Sequence, residues 1–171
     1  MKTWSEKRGL AALEKLRKNF SRRIRAAYEF RAKDCLTCDV QGSCCTDAHF
    51  VNVHISKLAA VAIRDALAAL DPTVRERVIR RNKHAVESLQ SDFASTYSCP
   101  LFEKGVGCLV HQTAKPLPCI NHACYENASD LPPSAILKSF EMKIGRLNDS
   151  VYRKNWNWLP IPVWLHRVLS R

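Results

Sequence analysis

The sequence predicts a mainly α-helical single domain, residues 1–171, with two irregular cysteine-rich metal-binding loops and at most a short strand or hairpin. Three observations lead there. Four stretches repeat apolar residues at helical spacing. Five glycines in 171 residues are few for the many turns of an all-β chain. All eight cysteines fall in two segments, Cys35–Cys45 and Cys99–Cys124, that lack such periodicity.

Residues 1–33 open with a capping box, Thr3 and Glu6, ahead of Leu10, Leu13, Leu16, Phe20, Ile24 and Tyr28 on one stripe of a long amphipathic helix. Its other face is basic, with Lys15, Arg17, Lys18, Arg22, Arg23 and Arg25. Eleven Lys and Arg against Glu6, Glu14 and Glu29 give this segment +8 of the chain's +11. Such a face suits nucleic acid or another acidic partner, and equally a solvated helix surface.

After the first cysteine segment, Val51, Val53 and Ile55 alternate with Asn52 and His54, the pattern of a short half-buried strand. Ser56 is placed to cap a helix with Leu58, Val61, Ala62 and Leu67 towards a core. Asp71 and Pro72 start the next, which Val74, Val78, Val86, Leu89 and Phe93 carry to about Ser95. Pro132, Pro133 and Ser134 announce a further helix striped by Leu137, Phe140, Ile144, Leu147 and Val151. The tail NWNWLPIPVWLHRVLSR completes a C-terminal segment, 132–171. It is expected to dock on the core rather than lie on a membrane, since Pro160 and Pro162 interrupt it.

The cysteines carry the chemistry. The N-terminus has neither the apolar core nor the small-residue site of a signal peptide, and no run approaches a membrane span, so a cytoplasmic location is expected. In a reducing cytosol eight cysteines point to metal ligands or redox thiols before disulfides. Bridging the neighbours Cys44 and Cys45 would also close a small strained ring. Four thiolates complete one tetrahedral zinc or one iron–sulfur cluster, so Cys35, Cys38, Cys44, Cys45, Cys99, Cys108, Cys119 and Cys124 serve at most two sites without sharing, or one site with spare thiols. Cys35 and Cys38, spaced C-x-x-C, suit a single ion. His49, His111 and His122 lie near enough in sequence to replace a thiolate, although a polar loop histidine is the commoner role.

A C-x-x-C pair, a vicinal cysteine pair, Cys99-Pro100-Leu101, Gly107-Cys108-Leu109, Lys115-Pro116-Leu117-Pro118-Cys119 and Cys124 follow one another in an order that resembles the YkgJ-type cysteine-cluster proteins, described as zinc- or iron-chelating. The passage VNVHISKLAAVA is similar as well, so the resemblance covers about residues 35–124, the expected metal-binding core. It implies a bacterial protein holding an iron–sulfur cluster or iron, with zinc as the alternative. Some relatives, the flagellin lysine methylases, are enzymes; this chain is much shorter than such an enzyme, and no catalytic role is carried over.

Two functional readings follow. The first is a metal-binding protein with a redox or sensing role and an unknown protein or redox partner. The second is a zinc-stabilised module that binds nucleic acid or another acidic partner through its basic N-terminal helix. A thiol–disulfide oxidoreductase using Cys35 and Cys38 ranks below both, because six further cysteines would be unexplained. Nucleotide-binding and hydrolase signatures are absent.

Overall fold

A computed structural model of the chain describes residues 3–33, 40–46, 52–89, 95–153 and 157–170. The protein is mainly helical. Among the described residues the helices are α1 (Glu6–Ala27), α2 (Lys57–Ala68), α3 (Pro72–Leu89), α4 (Leu117–Asn121), α5 (Ser134–Tyr152) and α6 (Ile161–Leu169). Six two-residue strands accompany them: β1 (Ala32–Lys33), β2 (His54–Ile55), β3 (Phe102–Glu103), β4 (Gly107–Cys108), β5 (Cys124–Tyr125) and β6 (Leu159–Pro160). They form three antiparallel pairs, β1 with β5, β2 with β6 and β3 with β4. The chain divides into two compact units, one of Met1–Asp39 and Pro116–Trp156, the other of Val40–Lys115 and Asn157–Arg171.

In unit one, α1 starts where the Ser5 hydroxyl accepts from the Arg8 amide at 3.3 Å. The cap is therefore Ser5, not Thr3. Glu6 then falls in the first turn, beside the positive end of the helix dipole, and accepts from the Tyr152 hydroxyl at 2.8 Å. Gly9, Leu13, Phe20 and Ile24 are buried, whereas Leu10, Leu16 and Tyr28 are half-buried at the edges of the stripe. This face packs on α4 and α5. Phe20 meets Phe140 edge to face with centroids 5.0 Å apart, a geometry worth about 0.5–1.5 kcal/mol beyond the area it buries. On α5 the buried residues are Ile136, Phe140, Ile144, Asn148 and Val151. Leu137 and Leu147 are half-buried, because Ile136 and the polar Asn148 take the central places.

Unit two is assembled by α6. The Ser56 hydroxyl caps α2 by accepting from the Ala59 amide at 3.3 Å, and Asp71 caps α3 by accepting from the Thr73 amide at 2.8 Å. Leu58, Val61 and Leu67 are buried as the spacing predicts; Ala62 is half-buried beside the fully buried Ile63. Val78 and Leu89 are core residues of α3, while Val74 and Val86 are half-buried; Val51 and Phe93 lie outside the described residues. The tail does pack against α2 and α3, but as a helix, with Pro160 at its N-cap and Pro162 in its first turn. Proline fits there because its missing amide would have had no intrahelical partner. Trp164 and Leu165 are buried, and the Asn82 amide donates to the Pro162 carbonyl at 3.2 Å.

Trp164→Ala should therefore lower unfolding stability by about 3–5 kcal/mol, read by denaturant titration of the helical circular dichroism. A loss of less than about 1 kcal/mol would show that α6 does not hold the unit together.

Candidate metal centre

Geometry at the first cysteine segment begins with Gly42. Its φ of 85° lies in the left-handed region, and a Cβ there would run into the Phe102 ring. The chain then turns sharply: Ser43 N–H donates to Val40 C=O at 3.1 Å and Cys45 N–H to Gly42 C=O at 2.8 Å. Cys44 and Cys45 sit in this single 3-10 turn, Ser43–Cys45.

The second segment meets that turn through its backbone. Cys99 N–H donates to Cys45 C=O at 2.8 Å, joining residues 54 positions apart. Beyond Cys99 the chain folds back as the β3–β4 hairpin, with Phe102 opposite Cys108. Gly105 and Gly107, at φ 80° and 95°, give the hairpin the left-handed positions its short connection requires. Leu109 N–H closes on Leu101 C=O at 2.9 Å, which returns Cys108 towards Cys99.

Electrostatics bind these thiols into one neighbourhood. Burial pushes the Cys99 thiol up to about 12; the Leu101 amide offsets part of this, and negative charge at Cys108 adds to it. Arg81 acts the other way, favouring the thiolate. Cys108 is raised too, first by burial, and Cys44 adds a smaller repulsion, whereas the Val110 amide and Lys115 favour its charged form. Cys44, Cys99 and Cys108 thus influence one another's charge in unit two, where amides and two cations favour the thiolate form.

Sequence reasoning missed the residues that hold the hairpin. The Arg81 Nε–H donates to Pro100 C=O at 3.1 Å, next to Cys99. Glu103 accepts from Arg77 at 2.7 Å and lies 3.5 Å from Arg81. Arg77 and Arg81 are four apart on α3 and so share a face, the signal that identifies them. Arg81 Nη2 and Glu103 Oε2, both buried, pair with each other at 3.5 Å and make no hydrogen bond among the described residues.

Cys119 and Cys124 belong to unit one, on α4 and β5. The β1–β5 register sets Lys33 opposite Cys124, and Lys33 pairs with Glu126 at 2.7 Å. Cys35, Cys38 and His49 lie outside the described residues. His111 and His122 are exposed. Among the described residues, no three Cys, His, Asp or Glu side chains are grouped closely enough to hold a metal ion. None of the described helices is long and apolar enough to cross a membrane. Comparison with protein families, with curated proteins and with solved structures finds no match.

The raised thiols make stability pH-dependent. The folded protein without metal holds the Cys99 proton more tightly than the unfolded chain, whose thiol titrates near 9.0. Stability is therefore complete below about pH 9 and falls as pH climbs towards the folded value. Melting of metal-free protein between about pH 8 and about pH 11 should show this fall, and Cys99→Ala should flatten it. An unchanged pH slope in that variant would remove Cys99 as its source.

Proposed function

We propose that this protein binds a soft metal centre, an iron–sulfur cluster or iron with zinc as the competitor, through cysteine thiolates, and that Cys44, Cys45, Cys99 and Cys108 form the ligand group of unit two. One observation carries the reading: the Cys99 amide bonded to the Cys45 carbonyl at 2.8 Å, which draws together two cysteine segments distant in the chain. Chance clustering in sequence gives no reason for that. The chemistry of the donor set fits the group, and binding would draw the four thiols closer together than they stand in the metal-free chain. Thiolates are the soft ligands that zinc and iron–sulfur clusters share. A metal must displace the protons these thiols hold, so loading should rise with pH. The Leu101 and Val110 amides and the cations Arg81 and Lys115 favour negative charge on the sulfurs, as is expected around a cluster whose charge must be offset.

Cys35, Cys38, Cys119 and Cys124 complete the proposed thiolate set, on their spacing and on the resemblance to the cysteine-cluster proteins. A cluster supplies one-electron redox chemistry, which would make the protein an electron carrier or sensor with a protein redox partner; zinc supplies structure alone. A reducing compartment such as the cytoplasm keeps these thiols available for either.

Iron, zinc and acid-labile sulfide, measured per chain on protein purified without oxygen, test the reading. Iron with equimolar sulfide is the expected result, and zinc without sulfide assigns the structural alternative. In Cys99→Ser and Cys108→Ser the metal content should fall by at least about half, as the loss of one ligand of four weakens a tetrahedral site. Less than about a tenth of a metal per chain, from cells supplied with both metals, would overturn the proposal.

A further inference from the structure

The outward face of α1 is the most concentrated charge on the described surface of unit one, and nothing in the thiol chemistry uses it. With about 100° per residue, the buried side of α1 is fixed by Gly9, Leu13, Phe20 and Ile24. The opposite pole falls among Ala11, Lys15, Lys18 and Arg22, with Lys7, Arg8 and Arg25 at its margins, and all of these are exposed. From Lys7 to Arg25 the row runs about 27 Å along the axis. One carboxylate interrupts it. Glu14 is already bound by Lys18 at 2.6 Å, and that contact holds its carboxyl below the ordinary range. Among the described residues, Lys7, Lys15 and Arg22 make no ion pair or hydrogen bond. A shallow groove of about 370 Å³ runs beside Ala11, Glu14, Lys15, Lys18, Asn19 and Arg22.

We infer that the outward face of α1 binds the phosphate backbone of a nucleic acid, with Lys15, Lys18 and Arg22 as its central contacts. The occupant follows from what the face lacks. Protein interfaces rest on a buried apolar or aromatic centre, and between Lys7 and Arg25 no large hydrophobic side chain is exposed. A membrane-surface helix inserts its apolar face, but the apolar face of α1 is packed on α4 and α5. Phosphate binding needs neither. It requires a row of exposed Lys and Arg, in which Lys15 and Arg22 are unpaired among the described residues and the solvent-exposed pair of Lys18 with Glu14 is weak enough to be exchanged for phosphate, and a duplex major groove of about 12 Å admits a helix of this width. The contacts carry no base information, so binding is sequence-independent. The surface is separate from the proposed metal ligands, and its test does not depend on them.

Fluorescence anisotropy of the whole protein with a labelled DNA duplex and an RNA stem of equal length decides the matter. Wild-type affinity should fall by about 10²–10³ between about 50 and 200 mM salt, and the tighter of the two probes identifies the nucleic acid. In the triple variant Lys15→Gln, Lys18→Gln, Arg22→Gln the log–log salt slope should be shallower by about three. The matched variant Arg75→Gln, Arg80→Gln, Lys83→Gln removes the same charge from exposed positions of α3 and should bind as wild type. No binding at low salt, equal losses in the two variants, or tighter binding of poly-glutamate than of either nucleic acid would each overturn the assignment.

Discussion

The carbonyl oxygen of Val53 accepts two hydrogen bonds, from the Tyr97 hydroxyl and from the Ile161 amide, each at 3.0 Å. Val53 is buried, so each lone pair left empty would carry the cost of an unmade bond, about 1–3 kcal/mol. This one acceptor fixes three distant stretches of unit two. The Ile161 amide locates the start of α6, and with it the apolar helix that closes over α2 and α3. Tyr97 lies two residues before Cys99, whose amide in turn meets Cys45. The place of the thiols therefore derives from the same core contact that seats the C-terminal helix. Because the β2–β6 ladder pairs only two residues on each strand, backbone pairing alone is too short to do this.

Around the thiols, two opposing electrostatic requirements are visible. Burial favours neutral sulfur, and at Cys99 and Cys108 it is the largest influence. Against it work the amides of Leu101, Phe102 and Val110 together with Arg81 and Lys115, all of which favour negative charge. A purely structural burial of cysteine has no use for the second set, since a neutral thiol packs as a small apolar side chain. Arg81 is itself constrained, bonded to Pro100 and held near Glu103, so its charge cannot swing away. Such fixed dipoles and charges cost no rearrangement when a thiol ionises.

Local signals in the sequence were legible where one residue decides one contact. Ser56 and Asp71 cap α2 and α3 as their positions indicate, and Cys44, Cys45, Cys99 and Cys108 fall between the long helices, whereas Cys119 lies on the short helix α4. Signals that depend on tertiary context were not. Pro160 and Pro162 read as interruptions until α2 and α3 supply a surface on which a nine-residue helix is stable. Asn148 occupies a central place in the buried stripe of α5, which no apolar periodicity announces. Ser5 rather than Thr3 is the cap, and Glu6 in the first turn bonds Tyr152 on α5, a partner that local spacing does not announce. At the candidate site, clustering in sequence marked the two cysteine segments but not their meeting, which the Cys99 to Cys45 backbone bond brings about, and Arg81 and Glu103 needed the hairpin in place before their role showed.

Charge on α1 has a cost that its pairing does not recover. The i,i+4 pairs, Glu14 with Lys18 on α1 and Arg25 with Glu29 just past its end, are solvent-exposed and contribute little. The remaining cations repel one another along the same row. An isolated helix of this composition would be weakened by that repulsion, so its stability must come from the face that Phe20 and Ile24 bury against α4 and α5. The core contact also sets the direction in which the charges point: turning α1 by one residue would carry Arg17 and Lys18 towards the apolar side, and burying an unpaired cation costs several kcal/mol. Packing in unit one thus does for the cationic row what the Val53 node does for the thiols. In each case apolar contacts that have no chemistry of their own hold chemically active groups at fixed positions, and the destabilising charge or buried thiol persists because the core beneath it is sufficient.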